Sequence, residues 1–415
     1  MAAVVRCPSV SCLARPITLA SRRSALRWPR FHSRMASRTS IHSSPAAVPT
    51  CGMRVAVLFQ ALDPPIINGV QKPRKPGGYQ DSGADIAYAL RKKADVDVVT
   101  CADAPRPEDA TGWSFPDTEE GILSAIQKGA THIWANTIVF ASHPLQTSAK
   151  LSGFQDEIRI IGQPPNLVET FDDKAIMNGL LRTQKSLTLP RACTVAADQD
   201  LHAALQVLGD SSPLVAKPTR GRGSHGVKVC SARDELHGHI EDLFKESPLV
   251  LVEEFLSGEE ATVMVMPPSD DKPRYWAMPV VIRFNHMDNI APYNGTVAVA
   301  ANSRLVTAAE AADDPEYAHI QGQCEKVAEL LKITAPIRID VRRFTSDPRS
   351  PFVLFDVNFK PNMTGPGRPG RSDQASLTAI AAAGLGWDYP ALLKQLLATA
   401  STLGQLRRSE PAKML

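Results

Sequence analysis

Two short stretches, Arg338-Ile339-Asp340 and Phe355-Asp356-Val357-Asn358, gather the side chains best suited to chemistry in this chain. Both read as strands, and alternate residues of a strand face the same side. Arg338 and Asp340 then share one face, as do Asp356 and Asn358. The result is a cluster of two carboxylates, one amide oxygen and one guanidinium, hard-ligand chemistry suited to Mg²⁺ carrying nucleotide phosphates. Two strands that turn polar residues to water would show the same pattern, so the reading depends on what stands upstream.

Residues 214–229 read as strand, glycine-rich turn, strand. Gly221, Gly223 and Gly226 permit a tight loop whose backbone N–H groups can approach phosphate oxygens, with no Cβ in the way. This is not a Walker loop, because no Gly-Lys-Ser or Gly-Lys-Thr follows. A plain hairpin turn has a similar composition. Lys217 separates the two readings, since an ammonium inside an apolar strand needs an anionic partner. Further on, the apolar strand Leu249–Val252 runs into Glu253-Glu254, turns at Ser257-Gly258, and resumes after Glu259-Glu260 with alternating character. Carboxylates at the end of a buried strand can accept hydrogen bonds from an adenine amino group or from ribose hydroxyls, although many such residues are only solvated caps.

In this order, strand lysine, glycine loop, acidic hinge and paired metal strands, the chain resembles the ATP-grasp superfamily, and most closely its D-alanine:D-alanine ligase-like branch. The resemblance runs from about Phe154 to the mid 360s, and more loosely over the region after Met53. It implies an α/β fold with α+β lobes and an N-terminal parallel-sheet domain. It also implies ATP and Mg²⁺ as cofactors, with two ions expected and Mn²⁺ able to substitute. By resemblance, Lys217 and Lys174 contact nucleotide phosphates, and Arg220, Gly221, Gly223, Ser224 and Gly226 belong to the flap above them. Glu253 takes the adenine amino group, the Leu256 backbone meets the adenine edge, and Glu260 takes the ribose. Asp340, Asp356 and Asn358 match the metal ligands, and Arg338 matches the arginine that steadies an acyl phosphate. Arg304 is a further candidate phosphate contact.

Departures from the family pattern are informative. Asp356 stands where a glutamate is usual. The usual Pro-Gly-Met-Thr is here Pro361-Asn362-Met363-Thr364, followed by an arginine-rich Gly365–Arg371 segment in which Arg368 and Arg371 are candidates to hold a substrate carboxylate. Before Ser82-Gly83-Ala84, Gly77 and Gly78 stand where the family carries a glutamate for the ammonium of D-alanine. The implied activity is therefore an ATP-dependent carboxylate-amine ligase acting through an acyl phosphate, with a first substrate other than D-alanine and a role in specialised metabolism. Its expected partners are a small carboxylic acid and an amine or amino acid, with a homodimer as the expected assembly. The alternatives are a phosphotransferase on the same ATP site, or a nucleotide-binding regulator without turnover. A complete set of Lys174, Lys217, Asp340, Asp356 and Asn358 argues against the regulator.

With 415 residues, 43% of them hydrophobic, the chain is long enough for two or three packed domains. No apolar run approaches the roughly 20 residues of a membrane span. The first 53 residues hold eight arginines and no aspartate or glutamate, the signature of a mitochondrial or plastid transit peptide, with the mitochondrion the expected destination; a disordered extension is the alternative, and a start at Met35 or Met53 would instead give a cytoplasmic protein. Without those eight arginines the formal charge of +3 becomes −5, so basicity gives no reason to expect nucleic acid. Cys101, Cys193, Cys230 and Cys324 are scattered and suggest neither zinc nor disulfides. Among the histidines, only His225 falls in the phosphate loop.

Periodicity predicts a strand over 54–59, a helix over 81–93, strands over 96–100 and 132–137 around a helix over 118–128, and a helix over 174–183. One long helix is expected over 310–331, and a helical end over 376–398 interrupted at Gly384–Gly386. The implied organisation is a leader (1–52), an α/β substrate domain (53–170), a central lobe with the glycine loop (171–256), a metal-bearing lobe (257–405) and a tail (406–415).

Overall fold

The computed structural model describes residues 52–210, 212–221, 223–286, 288–290 and 299–412. Residues 1–51 of the expected leader lie outside the described residues, as does Arg222 of the glycine loop.

The apolar run Val55–Leu58 is fully buried and forms the centre of the first sheet. In chain order this domain comprises β1 (Arg54–Phe59), α1 (Gln80–Lys93), β2 (Asp97–Val98), α2 (Glu119–Gln127), β3 (His132–Ala135) and β4 (Arg159–Ile161). The four strands pair in parallel in the order β4-β3-β1-β2, the arrangement expected of alternating strands and helices. Helix α2 begins at Thr118, whose hydroxyl accepts the Gly121 N–H at 3.1 Å, an N-cap visible in the sequence. Helix α3 (Lys174–Arg182) then leads into the central lobe, whose strands β5 (Ala192–Ala196), β6 (Leu214–Pro218), β7 (Lys228–Cys230) and β8 (Leu249–Glu254) form an antiparallel sheet ordered β7-β6-β8-β5. Helix α4 (Arg233–Phe244) covers it, burying Leu236, Ile240 and Leu243 at a helical spacing of three to four residues.

The last lobe is a second antiparallel sheet. Its strands β9 (Glu260–Met266), β10 (Val281–Arg283), β11 (Ser303–Leu305), β12 (Ile337–Arg343) and β13 (Phe352–Asn358) run in the order β11-β10-β9-β12-β13. The single helix expected over 310–331 is two: α5 (Ala308–Asp313), opened by a Thr307/Glu310 capping box, and α6 (Glu316–Leu331). The break falls at Asp314-Pro315, because a residue before proline is pushed out of helical geometry. Helices α7 (Leu377–Ala383) and α8 (Tyr389–Leu397) follow.

The chain end also differs from expectation. Strand β14 (Ser401–Thr402) pairs antiparallel with the β4 edge of the first sheet, and α9 (Leu403–Arg408) crosses the boundary expected at 405/406. These residues complete the first domain and form no tail. Among the described residues, no helix is long and apolar enough to cross a membrane.

Candidate active site

A cleft of about 1130 Å³ lies between the central and last lobes and is capped by the 60–79 segment, large for a small-molecule site. Two adjoining strands furnish its floor. In the β12/β13 ladder Arg338 stands opposite Asn358 and Asp340 opposite Asp356, with a bulge directly after Asp340, so the pleat brings all four side chains to one face. Arg338 grips Asp340 with two donors, Nε to Oδ1 at 3.0 Å and Nη2 to Oδ2 at 2.8 Å. Thr262, the ladder partner of Asp340 on β9, donates to the same carboxylate at 2.8 Å. Asn358 Nδ2 donates to Asp340 and Asp356, at 3.1 Å each.

Two lysines approach from the other lobe. Lys217, on β6 and only 4% exposed, places Nζ 2.6 Å from Glu253 Oε2 and donates to the Phe355 carbonyl at 3.2 Å. Burial pulls this ammonium down, but the carboxylates of Glu253, Asp356 and Asp340 outweigh it and hold it above its ordinary value. Lys174 stands 3.5 Å from Asp356 Oδ1 and donates to the Gly221 carbonyl at 3.1 Å. The facing carboxylates respond differently. Burial, with Asp356 nearby, pushes Asp340 up despite Arg338. Burial also opposes ionisation of Asp356, but Lys174, Lys217 and Arg338 overcome it and hold that residue below its ordinary value.

Asp173 explains how the glycine loop is tethered. Its Oδ1 caps α3 through the Ala175 N–H at 2.9 Å, while Oδ2 accepts Arg220 Nε at 3.2 Å. Arg220 donates as well to the Glu169 carbonyl at 3.0 Å, so its guanidinium ties the loop to the helix start. Gly223 and Ser224 both have left-handed backbone, with φ of 62° and 61°, and line the cleft with Gly221. Gly226 does not. It packs against the lobe, where a Cβ would come within 2.9 Å of Leu243 and 3.0 Å of Pro218; its φ of 69° serves the turn.

Glu253, Leu256 and Glu260, expected to meet the nucleotide, are all buried and cleft-lining. Glu253 Oε1 is a buried acceptor with no hydrogen-bond partner, a costly arrangement unless a ligand donor completes it. Glu260 receives His286 Nε2 at 2.9 Å and lies 3.7 Å from Arg342. The donor set fits Mg²⁺: two carboxylates and an amide supply three oxygens once the Asn358 amide takes a half-turn. Mg²⁺ ordinarily takes its remaining ligands from water and phosphate. Among the described residues no cluster of three His, Cys, Asp or Glu side chains offers a rival site.

Three arginines do not serve as expected. Arg368 and Arg371 do not await a substrate carboxylate: both donate to Asp85 Oδ1 at 2.9 Å, and Asp85 is completely buried on α1. Arg304 lies at the surface, bidentate with Glu310 at 2.8 and 2.9 Å. His225, by contrast, lines the cleft and pairs with Glu246 at 2.8 Å. Sequence reasoning overlooked Thr262, which the β9 alternation with Glu260 could have revealed, and Lys360, two residues beyond Asn358.

Two antiparallel lobes flanking one cleft, behind a parallel-sheet domain, define an ATP-grasp fold. Residues 187–398, just over half the chain, match the family described as D-ala D-ala ligase C-terminus, and the chain belongs to this family. It is similar to the D-alanine–D-alanine ligase of Halalkalibacterium halodurans, 27% identical over 184 residues, which are 44% of this chain and 54% of that protein. With the Bacillus anthracis enzyme it is 29% identical over 228 residues, 55% of this chain and 66% of that one. The chain spans about half the length of the curated relatives it matches first. Among solved structures, the B. anthracis D-alanine–D-alanine ligase complexed with ATP superposes with a TM-score of 0.56 at 20% identity, over 86% of this chain and 99% of that one. The VanG D-Ala:D-Ser ligase of Enterococcus faecalis gives a TM-score of 0.55 at 15% identity, over 83% and 98%.

Proposed function

We propose that this protein is an ATP-dependent carboxylate-amine ligase. The observation that carries the reading is the convergence of Lys174, Lys217, Arg338, Asp340 and Asp356 on one cleft that also holds the unpartnered Glu253 Oε1. A carboxylate oxygen of the acid attacks the γ-phosphorus of ATP, the bond from that phosphorus to the ADP oxygen breaks, and an acyl phosphate forms. The nitrogen lone pair of the amine then attacks the acyl carbon, the carbon–oxygen bond to phosphate breaks, and the nitrogen sheds its proton as the amide forms.

Lys174 and Lys217 hold the phosphates by charge, and Ser224 and the glycine backbone close over them. Arg338 steadies the oxygens that gain charge at the acyl centre. Such a site works by positioning and preorganised electrostatics. Asp340, Asp356 and Asn358 would hold Mg²⁺, which when bound neutralises phosphate charge. The first substrate is an acid other than D-alanine, because Gly77 and Gly78 replace the expected ammonium-holding glutamate. Residues 1–52 direct the protein to mitochondria, which a reporter carrying them would show by its location in cells.

The decisive experiment incubates the full chain with ATP, Mg²⁺ and pooled small acids and amines, with products read by mass spectrometry. ADP and phosphate with a condensed product establish the ligase. A stable phosphorylated acceptor establishes a phosphotransferase, and ATP binding without turnover in any pool overturns both.

A further inference from the structure

Glu260 opens β9 at the cleft wall, and its two carboxylate oxygens keep different company. Oε2 receives the 2.9 Å hydrogen bond from His286 Nε2. Arg342 stands 3.7 Å from the same oxygen but directs two of its donors elsewhere, Nε to the Gly258 carbonyl at 3.0 Å and Nη1 to the Asn289 carbonyl at 2.8 Å. Oε1 receives no hydrogen bond from any described residue. The carboxylate is therefore half satisfied, with one oxygen fixed by the protein and the other left for a ligand donor.

His286 reaches Glu260 from a strained stretch of backbone. Arg283, the last residue of β10, is the ladder partner of Glu260, and His286 lies three positions further on. Around it Asn285, Asp288 and Asn289 are left-handed, with φ of 55°, 50° and 64°. Asparagine and aspartate tolerate that region better than other non-glycine residues, yet such backbone persists only where the surroundings impose it. Here the restraints are on both sides. The Phe284 N–H donates to the Asn302 carbonyl at 2.9 Å, Asn285 Nδ2 donates to the Ala301 carbonyl at 3.2 Å, and Arg342 holds the Asn289 carbonyl. Between these anchors the His286 side chain is 18% exposed, so its bond to Glu260 is largely shielded from water. Facing a carboxylate, Nε2 carries the proton. His286 does not itself line the cleft, so whatever it does there it does through Glu260.

A loose glutamate loses side-chain freedom when a ligand hydroxyl binds it, and one already held at Oε2 loses less. We propose that His286 is a positioning residue of the nucleotide site: by fixing Oε2 it presents Oε1 to the ribose hydroxyls of ATP, and so makes the cleft select for an intact ribose. This inference rests on the ATP-dependent ligase reading, with Glu260 as the ribose contact, and adds the residue that orients that contact.

The test is titration calorimetry of the full chain with ATP and with 2′,3′-dideoxy-ATP, in Mg²⁺ and without any acid or amine. The expected Kd for ATP is at least about tenfold below that for the dideoxy analogue, the scale of one charge-assisted hydrogen bond. Glu260→Gln should bring the two nucleotides within about threefold of each other. His286→Ala should weaken ATP at least about fivefold while leaving dideoxy-ATP within about twofold, so that the ratio collapses in the same way. An unmoved Kd for dideoxy-ATP also shows that the variant is folded. His286→Gln, whose amide can still donate to Oε2, should stay within about threefold of the unaltered ratio. Equal binding of the two nucleotides by the unaltered chain, an unchanged ratio in Glu260→Gln, or a His286→Ala variant that keeps the ratio or weakens both nucleotides alike overturns this inference and leaves the ligase reading standing. No ATP binding at all removes the ligase reading and this inference together.

Discussion

Two charged clusters in this protein use the same residue types for opposite ends. At the cleft floor, Asp340 and Asp356 face Arg338, Lys174 and Lys217. Beneath α1, Asp85 faces Arg368 and Arg371. In the second cluster the carboxylate is wholly buried and both guanidiniums donate to it directly, and Asp81 stands 3.6 Å from Arg371, so two carboxylates match two guanidiniums internally. In the first, the groups line an open cleft and one neighbour, Glu253, retains an unpartnered oxygen. Charge alone therefore does not mark a functional cluster; unfinished hydrogen bonding on an accessible face does.

The sharpest way to break this comparison is Asp85→Ala. It leaves the buried Arg368 guanidinium without its anion while Arg371 keeps only Asp81 at 3.6 Å, and unfolding free energy should fall by about 3–5 kcal/mol with the KM for ATP unchanged. Chemical denaturation beside steady-state kinetics measures both, and a loss of ATP affinity without loss of stability would make the Asp85 cluster a functional one. Asp340→Asn should do the reverse, lowering kcat by at least about a hundredfold with little change in unfolding midpoint; near-normal phosphate release would remove Asp340 from the reaction.

Asp117 is an intermediate case. Buried at 1% exposure, it accepts the Ala61 and Leu62 N–H groups at 2.8 and 2.9 Å and the Thr137 hydroxyl at 2.6 Å, fixing the start of the segment that caps the cleft. Burial raises its pKa, but the His143 ring 3.6 Å away and the hydrogen bond from Thr137 outweigh this and hold it below its ordinary value. A lowered acid stabilises the fold above its unfolded pKa, and that contribution is lost as pH falls from about 4 through the folded value. Asp117→Asn should cost about 1.5–3 kcal/mol at neutral pH and flatten the acid limb of the stability profile; an unaltered acid limb would assign it to other groups. The smallest effect is expected from Arg304→Ala. Its exposed pair with Glu310 is worth no more than about 1 kcal/mol, and a marked fall in activity would restore Arg304 as a phosphate contact.

What the sequence disclosed was local. Period-two alternation put Arg338 with Asp340 and Asp356 with Asn358, and the structure adds only that the two pairs adjoin in register. Lys217 was conspicuous because an ammonium in an apolar strand demands a partner. Pro315 divided a helix that periodicity alone made continuous. The remaining features depend on residues far apart in the chain: Asp85 meets Arg368 across 283 positions and Asn136 meets Lys360 across 224. No spacing rule spans such distances. The arginine-rich 365–371 segment reads as a carboxylate site because its anion stands on α1, and Lys360 goes unmarked because the Tyr79 ring and Asn136 amide beside it belong to the first domain.

The pairing of Ser401–Thr402 with β4 bears on how the protein is made. During synthesis β4 emerges some 240 residues before the strand that covers its edge, so the nascent first sheet presents a bare hydrogen-bonding rim while both later lobes are still being translated. Such rims invite pairing with other chains. The last dozen residues of the fold thus act as a seal on its first domain, and a ribosome that stops before Ser401 releases a protein with its cleft residues complete and its oldest edge unprotected.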